Sequence, residues 1–131
     1  MNIKIEPMNE ATALAAAEIE ALCFSSPWPP ESFINILNNN NALYLIALCD
    51  GVVAGYIGIF DLIDEFSIIN VATHPDYRKK GIGRLLMSKI RKHAENKGCA
   101  VISLEVRESN VPARTLYDSL GITDPAAYGI S

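Results

Sequence analysis

Between Phe66 and Val106 the chain reads strand, basic glycine loop, helix, strand, and this succession leaves few folds open. Phe66–Thr73 is a β-rich run that stops at His74-Pro75, where proline ends any continuing ladder. From Gly81 to about Asn96, residues Ile82, Leu85, Leu86, Lys89 and Ile90 form a helical apolar stripe and its border. Gly98 stands where a C-terminal cap belongs. Ala100–Val106 is a second apolar strand. Two strands joined through one helix lie parallel in a common sheet, with a right-handed crossover.

The segment before this unit predicts antiparallel pairing instead. Residues 2–7 alternate and read as a first strand ending at Pro7. Asn9 caps a helix through about Cys23, with Leu14, Ile19, Leu22 and Cys23 near one face. Pro27-Trp28-Pro29-Pro30 breaks the chain before a short helix, Glu31 to Leu37, which spaces Phe33, Ile34 and Leu37 together. Asn38–Asn41 is a polar loop. Ala42–Leu48 and Val52–Phe60 flank Asp50-Gly51, a strong hairpin turn. A last short helix covers Val111–Leu120 and closes at Gly121. With 131 residues, no repeat and no linker, the chain is one domain over residues 1–131. Its class is α/β of the α+β type: a three-layer α/β/α arrangement on a mixed, mostly antiparallel sheet.

Half of the residues are apolar, enough to bury a core without disulfide or metal support. No apolar run approaches the roughly 18–20 residues of a membrane span, and the N-terminus lacks the order of a signal peptide. A cytoplasmic protein with no membrane partner is expected. Cys23, Cys49 and Cys99 are too far apart for a disulfide framework or zinc knuckle and read as small, reduced hydrophobes. His74 and His93 have no second ligand at metal spacing, so no metal site is expected. The net charge of −4 is unevenly spread. Residues 1–77 hold one basic residue, Lys4, against ten acidic ones, while eight of the eleven bases fall between Arg78 and Lys97. A basic segment in an acidic chain implies a local anionic ligand rather than nucleic acid. A solvated helix face accounts for Lys89, Lys92 and Lys97, but less well for the cluster at 78–84.

In that cluster a strand ends, two glycines follow a run of bases, and a helix begins. Gly81 and Gly83 allow a tight turn and a close approach to a ligand. The free amides and positive dipole end of the helix face the loop, and Arg78, Lys79, Lys80 and Arg84 add charge for two or three phosphates. Neither common nucleotide motif fits. A dinucleotide fingerprint would want a third glycine where Leu86 stands, and no Walker Gly-Lys-Ser/Thr is present.

The string Arg78-x-x-Gly81-x-Gly83 resembles the acetyl-CoA pyrophosphate loop of the GNAT N-acetyltransferase superfamily. His74-Pro-Asp-Tyr-Arg-Lys-Lys-Gly-Ile-Gly83, Leu104-Glu-Val-Arg-Glu-Ser-Asn110 and Ala113-Arg-Thr-Leu-Tyr-Asp-Ser-Leu-Gly121 are similar to its ribosomal-protein-alanine branch, as are Pro27-Trp28 and Asp64-Glu65. The resemblance runs from about residue 3 to Gly121. It implies the acyl-CoA N-acyltransferase fold and acetyl-CoA as co-substrate. The acceptor would be a primary amine, a basic peptide or the N-terminal alanine of a ribosomal protein. It also assigns the pyrophosphate to the segment Lys79, Lys80, Gly81, Ile82, Gly83 and Arg84. The strand end Val71, Ala72 and Thr73 would take the pantetheine arm as an added strand does. An amide near Val71 would hold the thioester oxygen.

Within this resemblance Glu105 is the base that removes the amine proton, directly or through a water; outside it, a strand glutamate is a solvent-facing carboxylate. Tyr117 is the acid that protonates the departing thiolate, or otherwise a core tyrosine with a polar tip. Asn110 fits both an N-cap of the last helix and a contact to CoA. Trp28 lines the acceptor cleft or plugs the sheet. Asp64 and Glu65 would lie near the acceptor, where negative charge attracts a basic peptide.

After Gly121 the family continues with two more strands joined by a turn, whereas Ile122–Ser131, with Pro125 and Gly129, is too short for them. The expectation is a domain without the C-terminal β-hairpin, with the strand at 100–106 covered by a second copy in a homodimer. Two function classes stay open: a working acetyltransferase, and a CoA-binding protein with little catalysis.

Overall fold

A computed structural model of the protein describes residues 2–99 and 101–104. Five strands form one sheet in the order of the chain: β1 (Ile3–Pro7), β2 (Ala42–Cys49), β3 (Val52–Asp61), β4 (Glu65–Thr73) and β5 (Val101–Leu104). The first three pairings are antiparallel, and β4 pairs with β5 in parallel. Helices α1 (Glu10–Cys23) and α2 (Pro30–Ile36) pack on one face, and α3 (Ile82–Asn96) packs on the other. This is the mixed three-layer arrangement that the succession of elements predicts. Glu105, Asn110, Tyr117, the helix at 111–120 and the segment 122–131 lie outside the described residues.

Local chemistry explains most boundaries. Asn9 and Thr12 form a reciprocal capping box at the start of α1: Thr12 N–H donates to Asn9 Oδ1 at 2.9 Å, and Asn9 N–H donates to Thr12 Oγ1 at 2.8 Å. Asp50 and Gly51 both take positive φ, 50° and 85°, as a two-residue hairpin matched to strand twist requires. Gly98, at φ 70°, follows the end of α3.

Alternation in the strands divides the core. Leu45, Ala47, Ile57, Ile59, Phe66 and Ile68 face α3, while Tyr44, Ile46, Tyr56 and Ala72 face α1 and α2. A bulge in β4 shifts this phase. Gly58 pairs with Asn70 and Ile59 with Ile68, so Ile69 has no partner across the ladder. As a result both Ile68 and Val71 reach the α3 side.

Two helix faces differ from expectation. In α1 the buried residues are Ala13, Ala16, Ala17, Ile19 and Glu20, whereas Leu14 and Leu22 are exposed at 51% and 59%. The i, i+3, i+4, i+7 stripe starts on Ala13, and its small side chains let the helix lie close on the sheet. In α3, Met87 and Ala94 join Ile82, Leu86 and Ile90 in the core, and Leu85 is largely exposed.

Gly58 is fixed by packing. A Cβ there would stand 2.0 Å from Cζ of the buried Tyr44 ring on the neighbouring strand. Gly58→Ala should therefore lower stability by about 1–3 kcal/mol, the cost of overpacking a full core. Urea denaturation measures it, and an unchanged midpoint would contradict this packing.

Candidate functional site

The last residues of β4 lead straight into the basic loop. Val71 and Ala72 are buried and Thr73 is half-buried; they pair with Ile57, Tyr56 and Gly55 of β3. On its other edge β4 pairs with β5 through Ile68, opposite Leu104. Among the described residues, β4 beyond Ile68 therefore has a neighbouring strand on the β3 side alone.

His74 opens a single 3-10 turn over Pro75–Tyr77, where its Nδ1 accepts from Asp76 N–H at 3.0 Å. The ring of Tyr77 meets that of His74 edge-on at 5.6 Å and packs against the α3-side core, which anchors the loop at its start. Arg78 then turns back: its Nε donates to the Thr73 carbonyl at 3.4 Å and its Nη2 to Cys23 Sγ at 3.4 Å. Burial pushes the Cys23 thiol up, and the Arg78 guanidinium partly offsets it. The end of α1, the end of β4 and the basic loop are thus tied at one point.

The loop backbone turns sharply. Lys79 has φ 64° and Gly81 has φ 81°, both left-handed; this conformation is unfavourable for lysine and easy for glycine. Gly81 caps α3 without a side chain, and the first turn holds no acidic residue. The helical ladder opens with Leu85 N–H on the Gly81 carbonyl at 3.0 Å, so the amides of Ile82 and Gly83 precede it. Arg78, Lys79, Lys80 and Arg84 are exposed around this helix start. The sequence-derived residues Val71–Thr73 and Arg78–Arg84 are thus brought together, as a basic rim around first-turn amides.

Asp64 and Glu65 are not part of that rim. They stand at the opposite end of β4, about 25 Å away at strand rise, beside Asp61, whose carboxylate pairs with Lys97. The Lys97 hydrogen bond and the Ile63 amide hold the Asp61 carboxyl below its ordinary value. A basic end and an acidic end therefore flank the sheet.

One cluster escaped the sequence reading. Glu20 is fully buried beneath the site, where it accepts from Tyr56 OH at 2.5 Å, Asn70 Nδ2 at 3.4 Å and Trp28 N–H at 2.7 Å. Tyr44 OH donates to Asn70 Oδ1 at 2.6 Å, and burial together with the Glu20 charge pushes the Tyr44 phenol up. The signal was present: Glu20 lies seven residues after Ala13, on the alanine face of α1. Trp28 is half-buried, with its ring 5.5 Å from Phe33. Cys23, Cys49 and Cys99 are free thiols, and among the described residues no three metal-ligating side chains come together. None of the described helices is long and apolar enough to cross a membrane.

Comparison with known proteins agrees with this geometry. The Acetyltransferase (GNAT) family matches residues 13–122. A Bacillus subtilis protein, provisionally named as a ribosomal protein bS18-alanine N-acetyltransferase, is 42% identical over 106 residues, which are 80% of this chain and 70% of that protein. The Escherichia coli K12 protein of that name is 35% identical over 118 residues, 88% of this chain and 78% of its own. A crystal structure of the Escherichia coli enzyme superposes with a TM-score of 0.81 at 31% identity, covering 92% of this chain and 77% of that one. The chain belongs to the acetyltransferase (GNAT) family.

Proposed function

We propose that the chain transfers an acetyl group from acetyl-CoA to the N-terminal alanine of a ribosomal protein or a similar basic peptide; its family membership supports acetyl-CoA-dependent transfer to a primary amine. The relatives named for that reaction support the substrate, and the acidic balance of residues 1–77 supports a basic acceptor. One observation carries the cofactor half of this reading: the left-handed Gly81 opens α3 at the end of the loop that follows β4, inside a rim of four cationic side chains.

In this reading the amides from Lys79 to Arg84 hold the pyrophosphate, and Val71, Ala72 and Thr73 pair with the pantetheine arm. An amide near Val71 stabilises the oxyanion as the amine nitrogen attacks the thioester carbon. Glu105 takes the proton from that nitrogen. The carbon–sulfur bond then breaks, Tyr117 protonates the thiolate, and Asn110 contacts the CoA. A free α-amine with a pKa near 7.7–8.0 needs only a modest base at neutral pH.

The direct test is incubation of an alanine-started basic peptide with acetyl-CoA, read by mass increase and thiol release. Acetylation with an acidic control peptide left slower is expected. Retained acetyl-CoA binding without transfer would instead mark a CoA-binding protein. Gly83→Val should weaken acetyl-CoA about tenfold or more in calorimetry, because a branched side chain keeps the phosphates from the backbone. Unchanged affinity would remove the loop assignment.

A further inference from the structure

A carboxylate on a buried helix face needs donors on all sides to be tolerated there. Glu20 has them, and they come from two different places. One oxygen, Oε1, accepts from Tyr56 and Asn70 on the sheet; the other, Oε2, accepts from the Trp28 amide in the loop between α1 and α2. The sheet contacts sit at a particular spot. Asn70 directly follows the β4 bulge and precedes Val71, and Tyr56 is the cross-strand partner of Ala72. Glu20 therefore joins the Trp28 loop to the stretch of β4 read as the thioester holder.

The chemistry of the three partners requires an acceptor at both oxygens. The Trp28 amide can only donate, and Asn70 turns its amino group toward Glu20 because Tyr44 holds its carbonyl oxygen. A glutamine of the same shape would point its own amino group at one of these donors. An aliphatic residue would fill the space, yet leave the loop untied. The indole of Trp28 is held a second time by Phe33, so the loop is fixed by its backbone and by its ring.

We propose that Glu20 is a positioning residue for the acceptor amine: by tying the Trp28 loop to β4 at Asn70, it sets the cleft wall against which the incoming peptide binds. This rests on the acetyl-transfer reading above and on the reading of the Trp28 loop as lining the acceptor cleft. It separates two duties within the site, with acetyl-CoA held from the α3 side and the acceptor wall held from the α1 side.

Trp28 is the sole tryptophan, so its emission reports the loop directly. In the full-length chain, Glu20→Gln should raise the KM for an alanine-started basic peptide by about tenfold or more, the loss of one charge-assisted hydrogen bond. Acetyl-CoA affinity by calorimetry should stay within about twofold, and Trp28 emission should shift to the red. Should Glu20→Gln fail to fold, Glu20→Asp is measured the same way; it keeps the charge one methylene short, and a smaller KM rise with the same spectral direction is expected. An unchanged peptide KM in a folded variant overturns the proposal, as does a matching loss of acetyl-CoA affinity, which marks a purely structural residue. If the wild-type chain transfers nothing, the acetyl-transfer reading fails instead. Unchanged Trp28 emission in the variant then overturns the Glu20 tie on its own.

Discussion

Glu105→Gln should lower the rate of acetyl transfer by roughly 10²–10⁴-fold, the range for a positioned general base, while acetyl-CoA binding stays as in the wild type. The amide keeps the size of the carboxylate and loses its capacity to accept a proton. The loss should fall on turnover and persist from pH 6 to 8, since the variant has no titrating group to recover. Single-turnover kinetics with an alanine-started peptide, run beside acetyl-CoA calorimetry, separates the two quantities. Wild-type turnover in the variant would make Glu105 a structural carboxylate. Reduced acetyl-CoA affinity with the rate at saturation intact would move it to the binding site.

Phe33→Ala should destabilise the fold by about 3–5 kcal/mol, the usual cost of emptying a buried aromatic position. Phe33 is completely buried under α2, and its ring meets Tyr56 edge-on at 5.4 Å, Tyr44 at 6.3 Å and Trp28 at 5.5 Å. Urea denaturation followed by far-ultraviolet circular dichroism measures the change, and Phe33→Leu should recover part of it. A loss below about 1 kcal/mol would mean that α2 contributes little to the core it covers.

The strands and their turns were legible because their signals are local. Asp50-Gly51 specifies a hairpin by backbone preference alone, and Asn9 marks where α1 begins, with Thr12 completing the capping box in the structure. The shape and charge of the loop at 78–84 were legible for the same reason, as a glycine marks its turn and the bases its exposed rim. The face of α1 was not: side-chain size drew attention to Leu14 and Leu22, while close approach to the sheet favoured the alanines. The β4 bulge is equally invisible in Phe66–Thr73, where Ile68, Ile69, Asn70 and Val71 read as part of one unbroken β-rich run. Glu20 was hidden because its partners Tyr56 and Asn70 lie far along the chain and meet it only through sheet register.

Strand order in the sheet repeats strand order in the chain, and this bears on how the protein is made. Emerging from the ribosome, each new antiparallel strand finds its neighbour already present, and the β2–β3 and β3–β4 turns close over short loops with small entropy loss. The parallel partner of β4 is different, for it must wait until the whole of α3 has been synthesised. Pulse-labelled hydrogen exchange during refolding should therefore protect the amides of β2 and β3 before those of β5. The nascent chain would own most of its sheet before the basic loop that precedes α3 had taken shape.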